Sequence, residues 1–154
     1  MANSIVNKEA ERWVVSQYLS THFQDERFEE KKLKLLWGGE FAFDAVNQNG
    51  SRVGLVSTSP SKTAKGKLAT GPYHKMKGDA LNLLHVQGQV SLFMVFTEST
   101  LHERFMKEAK NGRFPPNIEL LHVPLPEDIQ MKLLASRKVA SQEVTRMDVA
   151  IQRG

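Results

Sequence analysis

Residues 40–59 run Glu-Phe-Ala-Phe-Asp-Ala-Val-Asn-Gln-Asn-Gly-Ser-Arg-Val-Gly-Leu-Val-Ser-Thr-Ser. Side chains alternate across a strand, so Phe41, Phe43 and Ala45 fall on one face and Glu40, Ala42, Asp44 and Val46 on the other. Asn49-Gly50 marks a hairpin, because that pair tolerates the positive φ a tight strand reversal needs. Ser51–Ser59 returns as the partner strand, with Val53, Leu55 and Val56 as its apolar residues. A two-residue turn sets Val46 against Val53, Asp44 against Leu55, Ala42 against Ser57 and Glu40 against Ser59. In that register Asp44, Glu40, Ser57 and Ser59 share one face, a place for metal or phosphate ligands.

Working outward, the spacing of Val6, Ala10, Trp13, Val14 and Leu19 predicts a helix over Ser4–Thr21, capped by Asn3 or Ser4. The charged stretch Gln24–Lys34 frames a turn or a helix end. Lys34-Leu35-Leu36-Trp37 is strand-like, and Gly38-Gly39 allows a bend. After the hairpin, Ser59-Pro60-Ser61 stops the strand. Gly71-Pro72 divides a basic loop from a helix whose apolar face is Met76, Ala80, Leu83 and Leu84. Gln89–Thr97 is a near-continuous apolar run, as in a strand buried on both faces. A helix capped by Ser99 or Thr100 runs to Lys110 and ends at Asn111-Gly112. Ile118–Val123 is a further strand. Pro126 opens a last helix to Val139 or beyond, with a tail that frays after about residue 147. The order is α-β-β-β-α-β-α-β-α. Crossovers of this length imply parallel pairing of the later strands. The expected fold is α/β: one domain over residues 1–154, built on a single mixed β-sheet flanked by helices.

The chain has 154 residues, 40% hydrophobic and 25% charged, with a net charge of +4. It has no cysteine, which excludes disulfides, thiolate zinc sites and cysteine nucleophiles. Residues 61–78 hold five lysines and no acid, more than the whole excess. Such a stretch is a phosphate-facing patch or a solvated surface. Ser59-Pro60-Ser61-Lys62-Thr63 lacks the glycines of a phosphate loop. The histidines at 22, 74, 85, 102 and 122 have no zinc spacing. No serine-hydrolase elbow exists. No apolar run approaches the ~18 residues of a membrane span. A cytoplasmic protein without membrane association is expected.

Phe43-Asp44-Ala45-Val46, the hairpin ending Gly54-Leu55-Val56-Ser57-Thr58-Ser59 and the order of elements together resemble the PD-(D/E)xK nuclease superfamily, the restriction-endonuclease-like fold. The resemblance covers roughly residues 4–135. It implies an acid on the first hairpin strand, matched by Asp44, and an acid-x-lysine triplet on the next, which together hold Mg²⁺ and a water. Ser57-Thr58-Ser59 stands where the triplet falls, so both its acid and its lysine are missing. Ligands from neighbouring elements are the available repair. Glu9 or Glu11 on the first helix is the replacement acid, with Asp44 and Glu11 the expected Mg²⁺ pair. Lys62, Lys65, Lys67, Lys75 or Lys77 is the replacement lysine.

Two functional expectations follow. One is a nucleic-acid-binding protein, with DNA preferred over RNA, that contacts phosphates through Lys62, Lys65, Lys67, Lys75 and Lys77. It is either catalytically impaired or a Mg²⁺-dependent endonuclease with a rearranged site around Asp44, Glu40, Ser57 and Ser59. The other is a non-enzymatic interaction or assembly module, such as a homodimer, that keeps the fold alone.

Overall fold

The computed structural model describes residues 4–62 and 66–139. Helix α1 (Ser4–Trp13) widens into a π-helical stretch (Val14–Tyr18) and closes with one α-turn, α2 (Leu19–His22). The Leu19 N–H bonds to the Val14 carbonyl, five residues back. That wider turn lets Val14 and Leu19, which an α-helix would place on different faces, both reach the same apolar cluster with no exposure. Gln24 and Asp25 take positive φ, and the chain reverses into β1 (Phe28–Lys34).

Strands β2 (Glu40–Asn47) and β3 (Arg52–Ser57) form the hairpin. Then follow α3 (Thr70–Leu83), β4 (Ser91–Phe96), α4 (Ser99–Lys110), β5 (Ile118–His122) and α5 (residues 127–139). The five strands lie in the order β1-β2-β3-β4-β5. β1, β2 and β3 pair antiparallel, and β3, β4 and β5 parallel. The sheet is therefore mixed, and apolar clusters cover both faces. Leu92, Met94 and Phe96 pack with Met76, Leu83, Leu101 and Phe105 from α3 and α4. Phe93 and Val95 pack with Ala10, Val14, Ile129 and Leu133 from α1, the π-helical stretch and α5.

Several local expectations shift. The first strand is Phe28–Lys34, not Lys34–Trp37. Being an edge strand, it buries only Phe28 fully and so lacks an apolar alternation. Its lysines and glutamates instead protect the edge from pairing. Leu36 and Trp37 are exposed in the turn after it. The hairpin turn spans four residues, because the buried Asn47 side chain accepts the Arg52 N–H at 2.9 Å. The Val46–Val53 pairing nevertheless stands. Gly71-Pro72 lies within the first turn of α3, where an N–H has no helical partner to lose. Neither Ser99 nor Thr100 caps α4: Glu98 precedes it without a side-chain cap, and the Thr100 hydroxyl accepts the Ser61 N–H at 3.0 Å.

The main departure lies in β2. Val46 faces Glu29 and Phe43 faces Lys31, so Asp44 and Ala45 together oppose the single residue Glu30. This is a β-bulge. Phe43 and Val46 join the cluster under α3 and α4, while Ala45 joins the one under α1. β2 is paired with β3 only at Ala45–Gly54 and Val46–Val53. Beyond the bulge the hairpin follows β1 alone. The turn joining β1 to β2 meets the segment just after α3 through a Leu35–Val86 bridge and a Leu36 N–H to His85 carbonyl bond of 2.8 Å.

Gly54 sits where the Phe93 ring crosses β3, and a Cβ there would lie 2.2 Å from the ring. Phe93 is itself held by Phe23 and Phe28 at 5.4 and 5.9 Å between centroids, so it cannot move aside freely. Gly54→Ala is expected to cost about 1–3 kcal/mol, measured as a lowered denaturant midpoint with an unchanged slope.

Candidate functional site

The bulge sends the Asp44 side chain toward α1. Its Oδ2 accepts the Val56 N–H at 2.8 Å, in the gap where β2 has left β3. The strand's freed donor is thereby satisfied and the carboxylate is fixed. The Glu11 carboxyl on α1 is in hydrogen-bond contact with it. Burial, then the hydrogen bond and charge of Asp44, with the charge of Glu30, push Glu11 up to about 8. Two touching carboxyls resist double ionisation, so Glu11 holds its proton at neutral pH.

These groups line a cleft of about 420 Å³. Lys8, Glu11, Arg12 and Val15 recur at helical spacing on its α1 side, with Ser16 beside them. Phe28, Glu29 and Glu30 of β1 form the other side, and Asp44 completes the lining. Lys75 of α3 acts on the same pair from outside this lining. Partial burial works against its ammonium. The hydrogen bond and charge of Asp79, with the charges of Asp44 and Glu11, more than offset that and hold its pKa above the usual lysine value. The Lys75–Asp79 pair is 2.9 Å long, and the Asp79 side chain is largely buried. Lys75 therefore stays protonated and acts as a fixed positive charge, not a base.

The predicted site residues separate into two groups. Asp44, Glu11 and Lys75 are near one another. Glu40 is exposed at the start of β2, opposite Lys34, about 13 Å along the strand from Asp44 at ~3.3 Å per residue. Ser57 is buried and, by alternation, lies on the Leu55 side of the sheet, away from α1. Its Oγ accepts the Ser59 N–H at 3.3 Å. The shared face expected for Asp44, Ser57 and Ser59 is therefore not formed: the bulge turns Asp44 to the opposite side. Thr58 is the hydroxyl directed to α1, donating to Asn7 Oδ1 at 3.0 Å. Glu9 belongs elsewhere, paired with Lys132 of α5 at 3.2 Å.

The basic stretch does not form one patch among the described residues. Lys62 and Lys67 are exposed, and Lys62 bridges to Leu68. Lys65 lies outside the described residues. Lys77 turns to Glu108 of α4 at 3.3 Å and donates to the hydroxyl of Tyr73, one turn back on α3, at 2.9 Å. Lys8, Arg12 and Glu30 were not singled out in the sequence. The available signal was the 8-11-12-15 spacing, which places two cations beside Glu11.

A larger recess, of about 520 Å³, lies by the hairpin turn and is lined by residues such as Ser51, Gln89, Ser91 and Asn117. The charged groups lining it, Glu26 and Arg52, pair with each other at 3.4 Å, so it offers no free acid or base. Among the described residues, no group of three or more acids and histidines is placed to hold an ion. No helix among them is long and apolar enough to cross a membrane.

The Glu11 shift has a stability consequence. The folded chain keeps a proton that the unfolded chain releases above the ordinary value of 4.5. Stability is thus lost as pH rises from about 4.5 through about 8. Glu11→Gln removes the charge and should stabilise the fold above pH 8 by about 1 kcal/mol, after allowance for solvent screening at a half-buried site. The gain should shrink toward pH 4.5. Thermal melts of both proteins at pH 4.5, 7 and 9 check this, and a gain independent of pH would contradict it. Comparison with protein-family models, with curated proteins and with solved structures gave no match.

Proposed function

We propose that this chain is a nucleic-acid phosphodiesterase of the PD-(D/E)xK nuclease-like fold, acting on DNA with a divalent cation at a rebuilt site. Asp44 on β2 and Glu11 on α1 supply the carboxylates. Lys75 on α3 supplies the positive charge that Ser59 lacks. The observation that carries this is the Glu11–Asp44 contact, with Lys75 close enough to act on both carboxylates.

The donor set suits a hard cation. Both groups are carboxylates, and Mg²⁺ is commonly held by one or two carboxylates together with substrate phosphate oxygens. Two carboxyls in contact also mark a place where a positive charge is favourable. When bound, such an ion would lower the pKa of a coordinated water and neutralise charge on the phosphoryl oxygens. The chain's own residues do the remaining work. The Val56 N–H fixes one Asp44 oxygen, leaving Oδ1 for other partners. Glu11 would give up its proton when positive charge arrives. Lys75, steadied by Asp79, faces the phosphate as a permanent cation and stabilises charge developing in the transition state.

Incubation of the protein with supercoiled plasmid in Mg²⁺ or Mn²⁺ tests the proposal. Nicking is expected, and it should fall about 100-fold or more in Asp44→Ala and Glu11→Gln, and about tenfold in Lys75→Ala. Cleavage that persists in Asp44→Ala would reject the site.

A non-enzymatic interaction module is the second reading. Its supporting observation is the exposure of Leu36, Trp37 and Leu81, at 62%, 60% and 50%. Trp37 stacks on His85 with centroids 3.7 Å apart. That surface is available for self-association, which light scattering would detect as a mass above 17.4 kDa.

A further inference from the structure

Lys8 and Arg12 differ from the other cations near the site. They are one helical turn apart on α1, both exposed, and both line the cleft that holds Glu11 and Asp44. Lys75, Lys77, Lys132 and Arg137 each hold a carboxylate. Among the described residues, Lys8 and Arg12 form no ion pair with any carboxylate, although four of them share their cleft. Their Cβ atoms are about 5–6 Å apart at this spacing, a separation that two groups on one nucleic-acid strand can bridge. The cleft carries four carboxyl groups, Glu11, Glu29, Glu30 and Asp44, against Lys8 and Arg12, with Lys75 acting on the Glu11–Asp44 pair from α3. A divalent ion added there would move the balance toward positive charge.

We propose that Lys8 and Arg12 form a phosphate clamp that seats the nucleic-acid backbone beside the Glu11–Asp44 pair. This rests on the function proposed above and adds where the strand lies: along the exposed side of α1 and not over Lys62, Lys67 or Lys77. Neither residue touches the reacting atoms. They position consecutive phosphates adjoining the one that faces the carboxylates, and a divalent ion at those carboxylates would strengthen binding by offsetting their negative charge.

The test measures binding of a fluorescein-labelled 20-nucleotide DNA duplex by anisotropy, in EDTA and in Ca²⁺, across a salt series. Divalent-ion binding is measured separately by titration with Mn²⁺ alone. The Lys8→Ala/Arg12→Ala double variant should bind the duplex about tenfold more weakly, and its log–log salt slope should flatten by about 1.8, corresponding to two phosphate contacts. Its Mn²⁺ affinity should not fall, since the carboxylates are intact and two nearby cations are gone. A Lys31→Ala/Lys32→Ala variant, which removes two exposed cations from β1 outside the cleft lining, should leave the slope nearly intact. Equal losses in the two double variants would overturn the clamp, since the effect would then be general charge. An unchanged slope in Lys8→Ala/Arg12→Ala would also overturn it, as would a parent protein that binds no duplex. The Mn²⁺ titration judges the carboxylate site independently: loss of Mn²⁺ binding in Asp44→Ala supports that site whichever way the clamp is decided.

Discussion

The extra residue in β2 is the constraint from which the rest of the site follows. Without it, Asp44 would oppose Leu55 and project into the apolar cluster under α3 and α4, where an unpaired carboxylate is costly. With Asp44 and Ala45 both set against Glu30, the acid turns toward α1. The same irregularity ends the β2–β3 ladder after Ala45–Gly54. That leaves the Val56 N–H without a strand partner, and the Asp44 carboxylate takes it. One local change thus places an acid, satisfies the donor it exposes and frees the β1–β2 turn to reach the end of α3.

The two layers of helix then decide what meets Asp44. α1 is held by Ala10, with no exposed area, and by Val14 in the π-helical stretch that follows. Both pack against the sheet face that carries Phe93 and Val95. Ala10 and Val14 are four apart, so Glu11, beside Ala10, lies at the border of the buried face and is half-buried. α3 is held on the other face by Tyr73, Met76, Ala80 and Leu83. Lys75 follows His74 and precedes Met76 with its side chain exposed, and Asp79, one turn on, holds it by an ion pair. The three groups come from three elements, with Glu11 and Asp44 in contact and Lys75 acting on both by its charge. Packing offsets the cost of holding two carboxyls together.

Much of the frame was legible from periodicity. The apolar run at 91–96, the Val46–Val53 pairing and the helical spacing of Met76, Ala80 and Leu83 all appear where burial demands them. β1 was displaced because an edge strand exposes nearly every side chain and carries no alternation. The bulge was invisible for a different reason. Phe-Asp-Ala-Val alternates acceptably as a regular strand, and only pairing with β1 shows that one residue is surplus. Since strand faces alternate, that single residue moved Asp44 away from Ser57 and Ser59 and into the company of Glu11. Of the site, Asp44, Glu11 and Lys75 were named from the sequence. Their association is a tertiary fact, and Lys8 and Arg12 escaped notice because an exposed cation on a helix resembles any other.

The lysine-rich stretch shows why charge counted along a chain differs from charge in space. Lys75 and Lys77 are two residues apart on α3, hence about 200° apart around its axis. One therefore acts on the Glu11–Asp44 pair, and the other is occupied by Glu108 of α4 and by Tyr73 of its own helix. In the proposed chemistry only the first can answer a phosphate at Asp44. A lysine on a helix across the sheet edge also relaxes what β3 must provide. Ser57 is free to be buried, and Thr58 to tie β3 to Asn7 of α1. The absence of an acid-x-lysine triplet from β3 is then compatible with the proposed chemistry, because α1 and α3 bring the acid and the lysine to the same carboxylate from outside the hairpin.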